Sequence, residues 1–133
     1  MTYAVLADAG PLYAAVDPED SHHKRAVREL QKLDQDRREI VVAYSTLLET
    51  YSLILFRLGK NTATNWLIDI ADASLINPAP EDYQQAAAKL RVFADQPITL
   101  FDAVAASVAT RLRLEVWTYD HHFDVMRVPV WRG

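Results

Sequence analysis

The sequence predicts an α/β fold built on a central, mainly parallel sheet of four or five strands, covered by helices on both faces. Four short apolar runs, at 3–7, 40–44, 74–77 and 115–119, have the length and flanks of buried strands. The segments between them carry helical periodicity and capping residues. Strands that alternate with helices pair in parallel, because each crossover helix packs back onto the sheet.

The elements follow in order. YAVLA at 3–7 is the first strand, and Gly10 and Pro11 lead into a short helix over 11–16, Pro suiting a first helical turn. DPEDS at 17–21 is a capping turn. A helix then runs to about Asp36, with Ala26, Leu30 and Leu33 on one face. IVVAY at 40–44 is the second strand, and either Ser45 or Thr46 caps the helix that ends near Gly59. A further helix spans 61–73, and SLIN at 74–77 is the third strand. Pro80 opens a helix with Tyr83, Ala87, Leu90 and Ala94 in register. After a connector over 95–101 comes a helix to Leu112, then the fourth strand, EVWTY at 115–119. The tail RVPVW is a candidate fifth strand, which Pro129 confines to a sheet edge.

Composition bounds what such a fold does. The chain has 133 residues and reads as one domain, 1–133, with no repeat or linker. It has no cysteine, which excludes disulfides and thiolate metal sites and fits a reducing compartment. A net charge of −4 argues against a basic nucleic-acid-binding surface of the usual kind, and so against direct sequence-specific DNA binding. Brief contact with RNA through a local patch or bound cations stays open. MTYAVLADAG lacks the positive leader of a signal peptide, and no apolar run approaches the ~20 residues of a membrane span. The expected location is the cytoplasm.

Four carboxylates stand out by their surroundings. Asp8 is the only charged residue from Met1 to Val16. Glu49 is the only one between Ile40 and Phe56, inside STLLETYSLILF, which reads as a buried helix. Asp102 is the only one from Pro97 to Thr110, and Asp120 directly follows the fourth strand. In a parallel sheet all strands end on one edge, where the following helices start and ligand sites form. Asp8 and Asp120 end strands, Glu49 lies in the first turns of a helix after a strand, and Asp102 opens the helix that leads into the fourth strand. All four therefore belong to one edge. Asp8 and Asp102 taken singly also fit helix caps, and Asp120 a turn. Glu49 has no such local reason.

Four clustered carboxylates repel one another, and their pKa values rise unless a counter-ion is present. No lysine or arginine offers itself in these segments, so a divalent cation is the simplest remedy. All-oxygen ligation suits Mg²⁺ or Mn²⁺, which act on phosphate substrates by activating water and stabilising charge at the scissile phosphate.

The same residues carry a resemblance. VLADAGPLYAAVDPEDSHHKRA, the glutamate of STLLETYSLI, TLFDAVAASVA and the T-x-D-x-x-F of WTYDHHFDVM resemble, in order and spacing, the PIN-domain ribonucleases, particularly the VapC-type toxins of prokaryotic toxin–antitoxin pairs. The resemblance covers essentially the whole chain. It implies a three-layer α/β/α sandwich and a Mg²⁺- or Mn²⁺-dependent endoribonuclease. Asp8 and Asp102 would be direct metal ligands, with Glu49 and Asp120 completing the cluster. It also implies a homodimer and inhibition by a cognate antitoxin, whose peptide enters the active-site groove. One position departs: many members have Ser or Thr two residues after the first Asp, and here it is Gly10. A PIN fold that no longer cleaves and acts only through a protein partner is the alternative. A phosphatase of the haloacid dehalogenase type would need an Asp at position 10, and a receiver domain would need an acid pair, an acceptor Asp and a lysine that are not evident.

Other residues are weaker candidates. Asp124, one turn beyond Asp120, is a candidate fifth acid. His22–His23 and His121–His122 invite a metal reading, but neighbouring side chains diverge on a helix. Trp66, Trp117 and Trp131 read as core or interface. Leu53, Ile54, Phe56, Trp66 and Leu67 fit either a dimer patch or core.

Overall fold

The computed structural model describes residues 4–133; Tyr3, the first residue of the predicted opening strand, lies outside them. The elements are β1 (Ala4–Ala7), α1 (Ala9–Val16), α2 (His23–Gln35), β2 (Glu39–Ala43), α3 (Tyr44–Leu58), α4 (Lys60–Ile70), β3 (Ser74–Ile76), α5 (Pro80–Val92), α6 (Leu100–Leu112), β4 (Glu115–Trp117) and α7 (His122–Val125). The sheet has four strands in the order β3-β2-β1-β4, and every pair is parallel. Strand alternation sends Leu6 and Val116 to one face, where α5, α6 and α7 supply Ala86, Val104, Val108 and Phe123. Val5, Ala7, Val42 and Trp117 point to the other face, against Leu12, Leu33, Ile54 and Trp66 from α1 to α4. The result is the expected three-layer α/β/α sandwich.

The order of strands positions the cleft. From β1 the chain steps to its neighbour β2 and then to β3, on one side of the sheet. The crossover through α5 and α6 then returns it to the far side of β1, where β4 pairs. Connections thus leave β1 in opposite directions. Such a switch point opens a crevice at the carboxyl ends of the strands. Asp8 follows β1 and Asp120 lies just beyond β4, so both stand at this crevice.

Several predicted boundaries shift, for physical reasons. The tail is not a fifth strand: Val116 N donates to Pro129 O at 2.9 Å and Trp131 N to Val116 O at 2.9 Å, leaving one bridge at Val130. Pro129 has no amide with which to extend it. Neither Ser45 nor Thr46 caps α3. The helix starts at Tyr44, and the extended Ala43 is its N-cap, without a side-chain bond. α4 ends at Ile70, not at 73. In α5 Leu90 packs against the core as predicted, but the N-terminal half turns inward one position earlier: Asp82 and Ala86 are buried, whereas Tyr83 is 45 % exposed and Ala87 exposed. The register is set by Asp82, whose carboxylate receives both Arg111 Nε at 2.9 Å and Arg111 Nη2 at 2.8 Å from α6. A paired charge overrides the apolar pattern. The helix α3 is also less buried than its sequence suggests: Leu48 is 62 % and Phe56 86 % exposed. Of the five residues that fit either dimer patch or core, Ile54 and Trp66 are core. Trp117 and Trp131 are core as well, packed edge to face at 6.3 Å.

Candidate active site

Asp8, Glu49, Asp102 and Asp120 line one open cleft of about 460 Å³, together with Ala9, Gly10, Leu53, Thr99, Tyr119 and His121. None of these lining residues is a lysine or an arginine. The four predicted acids, dispersed along the chain, are therefore brought together. Asp124 is not: it lies outside the cleft, and its two carboxylate oxygens accept from Arg132 Nη2 at 2.8 and 2.9 Å.

The local structure of each acid separates a cap from a site. Asp8 occupies the N-cap position of α1 but makes no side-chain cap bond. Its carboxylate instead accepts from Thr118 Oγ1 at 2.8 Å. Asp102 is not the cap of α6 either; Thr99 is, its hydroxyl accepting from the Asp102 amide at 3.1 Å. The Asp102 side chain is left free to face Asp120. Asp120 does begin a turn, since its Oδ1 accepts from the His122 amide at 2.9 Å. Its own amide donates to Thr118 Oγ1 at 3.0 Å. Glu49 is half-buried, and its Oε1 is buried without a hydrogen-bond partner.

The electrostatics follow. Burial raises the Asp8 pKa, opposed by the bonds from Thr118 and the Ala9 amide, and Asp120 adds repulsion. Burial, then the Asp8 charge, pushes Glu49 up to about 7. Asp102 is pushed up to about 8 by burial, the Asp8 charge and its contact with Asp120. Burial alone would raise Asp120 too, but the His122 amide, the hydrogen bond from Asp102 and the two neighbouring histidines bring it below its ordinary value. Of this coupled pair Asp102 is thus the more readily protonated and Asp120 the one that ionises first. Without a cation the cleft relieves its repulsion by binding protons. An orphaned carboxylate oxygen on Glu49, four converging carboxylates and the absence of lysine and arginine from the lining fit a hard divalent cation. Among the described residues, the one group of three ligand-type side chains whose donor atoms all lie within 4.8 Å of one another is Asp120, His121 and His122. The four acids surround a wider space, which suits an ion that keeps several of its waters.

Two residues that the sequence reading passed over belong to the site's support. Thr118 ties Asp8 to the Asp120 loop. Glu29 is buried beneath the cleft and accepts from Trp117 Nε1 at 3.1 Å and Tyr119 Oη at 2.5 Å. The capping turn at 17–21 takes no part in the cleft: Asp17 accepts from Tyr13 Oη at 2.6 Å and from the Glu19 amide at 2.9 Å.

An α/β/α sandwich with carboxylates converging at its switch point defines a class of acidic-site proteins. The chain belongs to the PIN domain family, whose sequence model matches residues 5–129. Known structures share the fold. Mycobacterium tuberculosis VapC20, a toxin that cleaves the sarcin–ricin loop, superposes with a TM-score of 0.84 at 18 % identity, over 97 % of this chain and 99 % of its own. A chain of Rickettsia felis VapBC2, solved with a promoter DNA fragment, gives 0.74 at 15 % identity, over 97 % of each chain. A chain of DNA-bound VapBC from Salmonella typhimurium gives 0.70 at 18 % identity, over 99 % of this chain and 96 % of its own. No curated protein matches the sequence significantly.

Proposed function

We propose that this PIN domain is a divalent-cation-dependent endoribonuclease that acts in the cytoplasm as the toxin of a toxin–antitoxin pair. The observation that carries this reading is the cleft itself: four carboxylates from four separate segments, with no lysine or arginine among its lining residues. Asp8 and Asp102, with Glu49 and Asp120 beside them, would hold Mg²⁺ or Mn²⁺. The ion, when bound, supplies a activated water and neutralises charge at the scissile phosphate. The chain's own residues prepare the site. Thr118 fixes the Asp8 carboxylate, and Asp120 remains ionised next to Asp102. The amide groups at the start of α1, around Gly10, offer donors to a phosphate. Gly10 lines the cleft without a hydroxyl, so substrate contact at that position is left to the backbone.

The partners follow from the same reading. A structural relative solved as a toxin–antitoxin complex from Klebsiella pneumoniae, with a TM-score of 0.63 at 15 % identity, supports a cognate antitoxin here, and promoter contact is assigned to that partner rather than to this chain. An exposed apolar face formed by Tyr44, Leu48, Tyr83, Leu100 and Phe101 supports a homodimer. No helix among the described residues is long and apolar enough to cross a membrane.

The test is cleavage of an RNA panel that includes a sarcin–ricin loop, transfer RNA and messenger RNA. Cleavage should require Mg²⁺ or Mn²⁺, stop with EDTA and vanish in Asp8→Asn while the fold persists. Undiminished cleavage by that variant refutes the site. No cleavage of any RNA with either metal would favour a silent PIN-fold binding module.

A further inference from the structure

We propose that Asp120, His121 and His122 form a binding site for one zinc-class transition-metal ion at the rim of the acidic cleft. Two consecutive histidines within a regular helix point apart, which argues against a shared ion. Here both residues have helical backbone at the first turn of α7, yet their rings come together. His121 is the N-cap residue of α7 and His122 its first residue. Their rings stack at 4.2 Å between centroids, tilted by 36°. The Nδ1 atoms of His122 and His121 lie 2.9 and 3.9 Å from the same Asp120 Oδ1. A tetrahedral ion with bonds of roughly 2.0–2.2 Å holds its ligand atoms roughly 3.3–3.6 Å apart. The two observed separations straddle that value, so small side-chain rotations close the site.

A second observation points the same way. His122 is only 9 % exposed, and its Nδ1 is buried without a hydrogen bond, although Asp120 Oδ1 is near. A buried ring nitrogen normally finds a partner. Asp120 is held in place by the His122 amide. His121, with 75 % of its side chain exposed, leaves the remaining coordination position open to water. Two imidazole nitrogens and one carboxylate oxygen select Zn²⁺, Co²⁺ or Ni²⁺ over Mg²⁺. This donor set shares only Asp120 with the proposed nuclease site, and it stands whether or not the cleft cleaves RNA.

The test is direct binding to the untagged, full-length protein after metal removal. Calorimetric titration with ZnCl₂ in excess MgCl₂, which occupies the four-acid cleft, should give one further site with an affinity in the micromolar range or tighter, and Co²⁺ should show visible ligand-field absorption. His121→Ala, an exposed change, should weaken Zn²⁺ by at least about tenfold. His122→Gln, checked for folding by circular dichroism, should do the same. Asp8→Asn should keep the wild-type affinity. Absence of Zn²⁺ uptake at micromolar concentrations overturns the proposal, as does unchanged binding by His121→Ala. A loss in Asp8→Asn equal to that in His121→Ala also overturns it, because the ion would then sit among the four acids.

Discussion

The Thr118 hydroxyl donates to the Asp8 carboxylate at 2.8 Å across 110 residues of sequence. It is 5 % exposed and also accepts the Asp120 amide, so one side chain joins the ends of β1 and β4. Replacement by the near-isosteric Val removes both bonds and leaves the buried Asp8 carboxylate with only the Ala9 amide as donor. A hydrogen bond to a charged group contributes ~1.5–3 kcal/mol. Thr118→Val should therefore lower stability by about 1–3 kcal/mol in urea unfolding. Thr118→Ser should recover most of that loss. Equal losses in the two variants would show that the hydroxyl does not matter.

Proton uptake by the cleft gives the metal-free protein an unusual pH dependence. Burial, then the Asp8 charge, pushes Glu49 up to about 7 and Asp102 up to about 8, well above the ordinary carboxylate range. The folded protein binds more protons than the unfolded chain, so stability falls as pH rises. The contribution is complete below about 4, where the unfolded carboxylates are protonated as well, and it disappears as pH passes through the folded values. Thermal melts at pH 6 and pH 8.5 should show the loss, and Mg²⁺ or Mn²⁺ should reduce it.

Glu49 has no hydrogen-bond partner for its buried oxygen, so Glu49→Gln should keep or raise metal-free stability while weakening cation binding. The variant should also flatten the stability change between pH 6 and pH 8.5. A large loss of stability would make Glu49 a structural residue.

Asp82 has the opposite sign. Its hydrogen bonds from Arg111 lower its pKa, so its contribution is present above the ordinary carboxylate range and is lost as pH falls through the folded value. Breaking a buried ion pair costs about 3–5 kcal/mol, and the partial exposure of Arg111 reduces that. Asp82→Ala should destabilise by about 2–4 kcal/mol without altering cation binding.

At Gly10 a Cβ would meet only Tyr119 Cδ2, at 3.9 Å, which is ordinary contact. Gly10→Ala in α1 should stabilise by about 0.4–1 kcal/mol, mainly by restricting the unfolded chain. Destabilisation in the melt would show that the bare backbone is required there.

The four acids were legible because each stands alone in or at the end of an apolar stretch, Glu49 without any local reason, and strand–helix alternation brings such positions to one edge. Glu29 was not legible, because Lys24, Arg25, Arg28 and Lys32 surround it in α2 and make it look like a solvated acid. It does pair with Arg25 one turn away, at 3.4 Å, but its other oxygen accepts from Trp117 and Tyr119, 88 and 90 residues away. Asp82 was hidden in the same way, as an ordinary first-turn acid whose partner lies 29 residues further on. Helical periodicity reports apolar faces, so a buried ion pair misleads it by one position.

The central position of β1 also orders events during synthesis. β1 emerges first, yet its second neighbour β4 and the Thr118 bond are available only after more than a hundred further residues have been made. A nascent chain that stops short of β4 has Asp8 without its anchor and no Asp120, so it presents no cleft. The cleft therefore assembles only once nearly the whole domain has been made.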